Sequence, residues 1–490
     1  MDDNLSAGTL GAAQGLIADD NRLRENSLGF AALTFMVVSA AAPLTGVAGV
    51  LPIAFMLGNG TGLPATFLCA TVVMLLFSVG YVAMARHVRN AGAFYAYAAR
   101  GLGGCWGGAT AIVALVAYNA MQWGLIGMFG AIAASLFAGY GVNAPWWLYS
   151  LVAIVLVSIL GYRQVDLSAK VLGMLVIVEY VIVLLVDFVI LGKGGAHGLA
   201  THTFNLGALT SGSFPVAILF CLGSFMGFEA TTIYAEEARN PEKTVPRATY
   251  AAVLVIGFFY IFTSWLMIAG TGPTHLISTL KSLKDPTNFF FDLARRYVGG
   301  PVPDIAQLLL VSSLFAALSA FHNYIARYSY VAGREGLLPA MFGRTHSVHQ
   351  SPHIGSVAQT MGALLVLAFF AGFHLDPILD LFTWICQIGV LGLVGMMTIT
   401  SVAVVAFFQR EGGVSRWKTL AAPVASGLIM AVLFVYIYAN FGELTGTNGK
   451  WLGIALPTAI PVAALVGWAL ARRLRTSAPE LYAGMGASRS

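Results

Sequence analysis

The run "VSAAAPLTGVAGVLP", Val38–Pro52, places Pro43, Gly46 and Gly49 inside an apolar stretch long enough to cross a bilayer. Proline removes a backbone donor and clashes with the preceding turn, and glycine adds backbone freedom that works against a helix, so a break is expected here. Hydrocarbon satisfies no backbone group, so such a break persists only where protein covers it or where it lines a cavity. A second stretch has the same character: "LFCLGSFMGFE", Leu219–Glu229, sets Gly223 and Gly227 at a similar depth. A half-helix that starts at a break presents free N–H groups and a positive dipole end, and one that ends there presents free carbonyls. The first suits a carboxylate and the second an ammonium.

Around these stretches, 58% of the 490 residues are hydrophobic and only 10% are charged, more apolar than a water-facing surface tolerates. Apolar runs of about 20 residues recur, each able to cross a core about 30 Å thick as a helix. They lack the alternation of an outer-membrane barrel. The chain is therefore expected to be an all-α integral membrane protein with about twelve transmembrane helices. The expected spans are Phe30–Leu57, Leu63–Ala85, Cys105–Phe137, Trp146–Leu160, Val171–Leu191, Phe214–Tyr234, Ala251–Ile268, Ile305–Tyr324, Val357–Phe373, Leu381–Phe407, Leu420–Ala439 and Leu452–Ala471.

Lysine and arginine accumulate on the cytoplasmic side of membrane proteins. With both termini inside, only Lys193, Lys281, Lys284, Arg295, Arg296 and Lys450 fall outside, leaving 20 of the 26 cations on the cytoplasmic face. The net charge of +5 thus reads as a topology signal beside anionic lipid, and no nucleic-acid partner is implied. Residues 1–27 carry Arg22 and Arg24 without a signal-peptide core and are expected to form a cytoplasmic tail. The two breaks recur five spans apart, in spans that start on opposite sides. This divides the chain into two inverted repeats, 28–191 and 192–408, followed by two further helices over 409–472 and a cytoplasmic tail over 473–490. Paired interruptions of this kind mark the midplane site of a secondary transporter.

Several other chemistries lack support. Cys69, Cys105, Cys221 and Cys386 have no metal or redox spacing and read as small buried hydrophobes. His346, His349 and His353 lie within "RTHSVHQSPH", Arg344–His353, a basic loop containing Pro352 that reads as solvated, so no metal site is expected. No Gly-Lys-Ser/Thr phosphate loop appears, which argues against ATP coupling. No cofactor and no enzymatic activity are expected.

Three motifs carry a family resemblance: "AGAFYAYAARGLGGCWG" at Ala91–Gly107, "GFEATTIYAEEARNPEKTVPRA" at Gly227–Ala248 and "ARYSYVAGREGLLPAMFGRTH" at Ala326–His346. All three lie at or just inside the cytoplasmic face. Together they resemble the amino acid/polyamine/organocation (APC) superfamily in its amino-acid permease branch, over roughly Ser27 to Phe408. The resemblance implies a five-plus-five inverted repeat of the LeuT-like fold, with helices 1 and 6 broken and substrate moved between them by alternating access. It further implies that Thr45, Gly46 and Val47 offer N–H groups to a substrate carboxylate, and that Phe220, Cys221 and Gly223 offer carbonyls to its amino group. Val47 is bulkier than the residue between the glycines that the family often carries at this break. Phe228, Tyr118, Gln122 and Trp384 are further candidates for the substrate pocket, although Tyr118, Gln122 and Trp384 equally suit packing or hydrogen bonding between helices. Ser312 and Ser313 stand where sodium-coupled relatives place hydroxyl ligands. His322 and Asn323 suit the inner gate or its packing.

The acidic residues inside spans are Glu179, Asp187 and Glu229. An ionised side chain at mid-membrane costs about 2.5–3.5 kcal/mol on the translocon scale, so it persists where it is paired, neutral or beside water. In "SAKVLGMLVIVEYVIVLL", Ser168–Leu185, Glu179 occupies the position where resembling proton-coupled members carry a lysine. Glu179 and Glu229 are the candidate proton-coupling groups, and Asp187 is close enough to the outer end to reach the interface. At the carboxyl end of the sixth span the macrodipole disfavours anions, so Glu236 and Glu237 need cations. Arg239, Lys243 and Arg247 are near in sequence, and Arg86 or Arg89 could reach from across the bundle. Asn240-Pro241 is expected to end this helix and Pro246 to open the next. Glu236, Glu237, Arg239 and Arg247 are the candidate inner gate. The sequence thus points to a secondary transporter of an amino acid or related amine across the plasma membrane, with proton symport favoured. An exchanger, a facilitator or a nutrient sensor on the same scaffold are the alternatives. Its expected partners are that substrate, protons and membrane lipids.

Overall fold

The computed structural model describes residues 28–40, 42–88, 90, 92–163, 169–235, 237–283, 285–412, 415–445 and 450–487. Among the described residues, ten helices are long and apolar enough to span a membrane: Gly60–Ala85, Gly104–Ala138, Trp146–Arg163, Met174–Gly192, Pro241–Thr271, Val302–Arg334, His353–Gly372, Pro377–Glu411, Trp417–Asn440 and Trp451–Ser477. Two further spans, the first and the sixth, are built in pieces, so the expected twelve are present. Among the described residues there is no strand, only an isolated bridge between Leu28 and Ala238.

The first span consists of Phe30–Ala40, then a π-helical turn Thr45–Val50, then Leu51–Leu57. A residue before proline is pushed out of the α region, and Ala42 adopts φ 42° ahead of Pro43. Pro43 stands in the first turn of the resumed helix, where no backbone donor is needed. The π turn follows because the Leu51 N–H bonds Gly46 O, five residues back. The sixth span runs Phe214–Gly223, leaves the helix through a stretch of turns with Gly227 at φ 104°, and resumes only as Ala230–Ile233. Both breaks therefore fall where the proline and glycines placed them.

The seventh span begins earlier than hydropathy suggests. Pro241 is its first residue and Pro246 lies inside it, so the expectation that Pro246 opens this helix is corrected. Pro241 loses nothing at a position whose N–H has no helical partner. The third span is the hub, and it meets the tenth and twelfth at backbone contact: a Cβ on Gly389 would stand 2.6 Å from Ala117 O, and one on Gly467 only 2.2 Å from Gly108 O. Without a hydrophobic drive between helices in lipid, such close approach supplies the packing. The peripheral spans turn large apolar side chains outward, among them Leu365, Val432 and Leu465.

Candidate functional site

The two breaks border one cavity of about 60 Å³ at the centre of the bundle. The first span contributes Ala42, Thr45, Gly46 and Val50, and the sixth Phe220, Gly223, Ser224 and Met226. Met121 and Leu125 of the third span, Tyr260 of the seventh, Ala317 and Phe321 of the eighth, and Phe382, Cys386, Gln387 and Val390 of the tenth close it. Among the described residues no acidic or basic side chain lines it. The Tyr260 ring lies directly on the broken backbone, since a Cβ on Gly46 would stand 1.9 Å from its hydroxyl oxygen. Glycine at 46 is thus required by close approach.

Of the residues singled out from the sequence, Thr45, Gly46, Phe220 and Gly223 line this cavity, and the other six substrate candidates lie elsewhere. Val47 and Cys221 are fully buried in the core, and Cys221 neighbours Cys69 of the second span. Phe228 packs among Phe77, Tyr81 and Phe94, with ring centroids 5.6–6.3 Å away. Tyr118 stacks edge-on to Tyr328 at 5.5 Å. Gln122 accepts from Gln359, which also bonds His322 Nδ1 at 2.8 Å in a buried polar network behind the site. Trp384 is buried one half-turn before Cys386. The carbonyls of Phe220 and Cys221 each accept the Ser224 N–H at 3.2 Å, and Gly223 O accepts the Met226 N–H at 3.0 Å. Phe220 O also accepts from Ser224 Oγ at 3.2 Å, so the turn uses both of its lone pairs but only one each on Cys221 and Gly223.

Glu179 reaches the first break from the fifth span. Its Oε2 accepts from Ser313 Oγ at 2.7 Å and from the Leu44 N–H at 3.4 Å. Thr45 Oγ1 in turn donates to Ser313 Oγ at 3.3 Å. The carboxyl therefore caps the resumed half of the first span, where the dipole favours an anion. It is connected through two hydroxyls to a residue of the cavity wall. Its Oε1 has no hydrogen-bond partner among the described residues, and no cation faces it there. Ser312 instead bonds back to Leu309 O at 2.8 Å.

The other two intramembrane carboxyls are arranged differently. Glu229 closes its own turn by accepting the Gly227 N–H at 3.0 Å and lies among the hydroxyls of Tyr81, Tyr118, Tyr324 and Tyr328. Asp187 is fully buried and accepts from Thr263 Oγ1 at 2.6 Å. This corrects the expectation that it reaches the interface, because it is buried and a hydroxyl on the seventh span bonds its Oδ2 inside, while its Oδ1 has no partner among the described residues.

At the end of the sixth span Glu237 pairs with Arg327 of the eighth at 3.2 Å, both side chains being largely buried. The Arg327 guanidinium stands 4.5 Å above the Tyr234 ring and donates to its hydroxyl at 3.3 Å. The partner of Glu237 is thus neither of the nearby Arg239 and Arg247, the latter exposed, nor Arg86. Main-chain bonds from the Leu28 N–H to Glu237 O at 3.1 Å and from the Arg239 N–H to Leu28 O at 2.7 Å tie the start of the first span to the same place. Glu236 and Arg89 lie outside the described residues. Arg327 had only a weak signal, since it lies seven positions before the end of a 33-residue helix that also carries Asp304, His322 and Arg334. Tyr260 had none. His346, His349 and His353 cluster around Tyr162, and among the described residues no group of three His, Cys, Asp or Glu side chains could hold a metal ion.

A bundle of twelve spans with helices 1 and 6 broken around a central cavity defines a membrane transporter of the LeuT-like class. The fold resembles a crystal structure of a mutant Eremococcus coleocola manganese transporter, with a TM-score of 0.57 and 14% identity over 92% of this chain and 97% of that one. Residues 33–451 match the model of the amino acid permease family, and the chain belongs to that family. It is 26% identical over 420 residues to the lysine-specific permease of Lactococcus lactis subsp. cremoris, covering 80% of this chain and 79% of that protein. It is 24% identical over 416 residues to the branched-chain amino acid permease of Bacillus subtilis, covering 79% and 82%. The protein is a multi-pass membrane transporter for amino acids or amines, not an enzyme.

Proposed function

We propose that this permease moves a small neutral amino acid together with a proton across the plasma membrane, termini inside, by alternating access between repeats 28–191 and 192–408. The observation that carries the reading is the link from the buried Glu179 through Ser313 and Thr45 to the cavity wall. A carboxyl in that position can exchange a proton with the cavity and, by accepting Leu44 N–H, senses the geometry of the break. The lining favours a zwitterion with an apolar side chain. Gly46 and Gly223 bring the main chain of both breaks to the cavity, while Met121, Leu125, Phe321 and Val390 offer only apolar surface. With no fixed charge in the lining, a cationic side chain such as that of lysine would be left without a counter-ion, at a cost that burial makes large. At roughly 10–15 Å³ for each water-sized atom, the cavity takes about four to six of them, the size of glycine or alanine.

The test is uptake of alanine into proteoliposomes with and without a pH gradient. One unit of pH is about 1.4 kcal/mol, so a one-proton symporter accumulates alanine about tenfold per unit. Glu179→Gln keeps the acceptor for Ser313 and Leu44 but carries no titrating proton. It is expected to equilibrate alanine without concentrating it. Unchanged gradient-driven accumulation by Glu179→Gln would remove this carboxyl from the coupling mechanism.

A further inference from the structure

Away from the central cavity, the second, seventh, tenth and eleventh spans leave a fissure of about 100 Å³ at the face that carries the termini. Its inner walls are apolar, formed by Val79 and Val82 of the second span and Phe408 of the tenth. Its mouth is basic, with Arg86 and Lys418 both exposed and Tyr250 between water and protein. The side chains of Arg86 and Lys418 meet no carboxylate among the described residues, and no acidic side chain lines the fissure. From this mouth an apolar track runs toward mid-membrane. Leu254 and Phe258 follow Tyr250 at four-residue spacing, one face of the seventh helix, and are 52% and 67% exposed.

A cationic mouth at the end of the helices, joined to an apolar track along them, matches a molecule that is anionic at one end and hydrocarbon at the other. We propose that this fissure binds an anionic phospholipid, its phosphate between Arg86 and Lys418 and an acyl chain along Leu254 and Phe258. Basic pockets between membrane helices on the cytoplasmic side recognise acidic headgroups in this way. A zwitterionic lipid sets its own cation against Arg86 and Lys418, and a free phosphate makes no use of the track.

The experiment measures lipid retained by the purified full-length protein, by native mass spectrometry after exchange into mixed phosphatidylglycerol and phosphatidylcholine. The wild type is expected to retain phosphatidylglycerol preferentially, and Arg86→Gln with Lys418→Gln to lose that preference about thirtyfold. That change corresponds to about 1 kcal/mol per cation at tenfold per 1.4 kcal/mol or so. Arg247→Gln, an exposed cation outside the fissure, should leave it intact. Equal retention of the two lipids by the wild type, or equal preference in wild type and double variant, overturns the proposal. So does displacement by inorganic phosphate or by deacylated glycerophosphoglycerol as effective as by the lipid. Should the double variant not fold, phosphatidylglycerol with a photoreactive acyl chain is cross-linked to the wild type. Adducts on the peptides holding Leu254 and Phe258 support the site, and adducts confined to other spans refute it.

Discussion

Glu237→Gln tests whether the contact between the sixth and eighth spans acts as a lock. In the structure the Arg327 side chain is only 10% exposed and faces the Glu237 carboxylate at 3.2 Å, with the Tyr234 ring beneath it. Removing one member of a buried ion pair costs about 3–5 kcal/mol, because the remaining charge stays desolvated. A glutamine oxygen still accepts from Arg327 Nε, so the lower end, about 3 kcal/mol, is the better figure. If the pair exists only while the terminus side is closed, this cost shifts the equilibrium toward opening on that side by about 150-fold. Cys386 reports the shift, since it lines the cavity and is buried in the closed form. With Cys69, Cys105 and Cys221 replaced by alanine, an impermeant maleimide added on the terminus side should label Cys386 about two orders of magnitude faster in Glu237→Gln. Replacing both Glu237 and Arg327 by methionine removes the isolated charge and should bring the rate back within about tenfold of the wild type. An unchanged rate in the single variant, or faster labelling only from the opposite side, refutes the lock.

Gly46→Ala drives a Cβ to 1.9 Å from the Tyr260 hydroxyl oxygen, so uptake should fall at least about tenfold. Pairing it with Tyr260→Phe should give little relief, since ring carbons would remain at 2.5 and 2.6 Å. Glu335→Ala removes the acceptor for Asn90 Nδ2 at 2.9 Å, the Gly486 N–H at 2.6 Å and the Tyr95 hydroxyl. Unpaired buried donors cost about 1–3 kcal/mol each, so the carboxyl-terminal segment should detach and become the first site of limited proteolysis. Gln359→Leu takes the partner from Gln122 and from His322. The thermal midpoint should drop by an amount equivalent to about 1–3 kcal/mol, with the KM for uptake unchanged because the network does not line the central cavity.

The breaks were readable because their cause is local. Pro43 and its effect on Ala42 need only two neighbouring residues, as does the positive φ that Gly227 supplies. The site built on those breaks was readable to the same extent, through Thr45, Gly46, Phe220 and Gly223. The rest of the cavity was not. Met121, Tyr260, Cys386 and Val390 sit on spans that are apolar all round, where no periodicity separates the face toward a cavity from the face toward lipid or a neighbour. Tyr118 and Gln122 do sit on adjacent turns as the spacing indicated, yet one enters an aromatic cluster and the other a polar network, a difference made by the eighth and ninth spans. The seventh helix was read short because hydropathy registers apolar residues, and its first turns, with Glu242, Lys243 and Arg247, are polar yet helical. Arg327 was counted as one topology charge among many, because it lies past the expected end of the eighth span and its partner Glu237 is ninety residues away in sequence.

The eighth span joins the two contacts that hold the first. Ser313 binds the carboxyl that caps the resumed half at Leu44, and Arg327 holds Glu237, whose main chain binds Leu28 at the start of the other half. These two residues lie fourteen positions apart, about 21 Å along an α-helix and within about 40° of one face. The first span is therefore attached to one continuous helix at its start and at its break, and it can tilt away only when both attachments yield. The two differ in kind. Arg327 with Glu237 is a buried ion pair between two side chains of opposite charge. Glu179 accepts neutral donors, and its bonds to Ser313 and Leu44 are strong while the carboxyl is charged and roughly half as strong once it is neutral. On the proposed mechanism a proton that reaches Glu179 from the cavity loosens the attachment at the break and leaves the one at the gate intact. Substrate between the breaks then decides whether the gate follows, which is the order of events that ties the proton to its cargo.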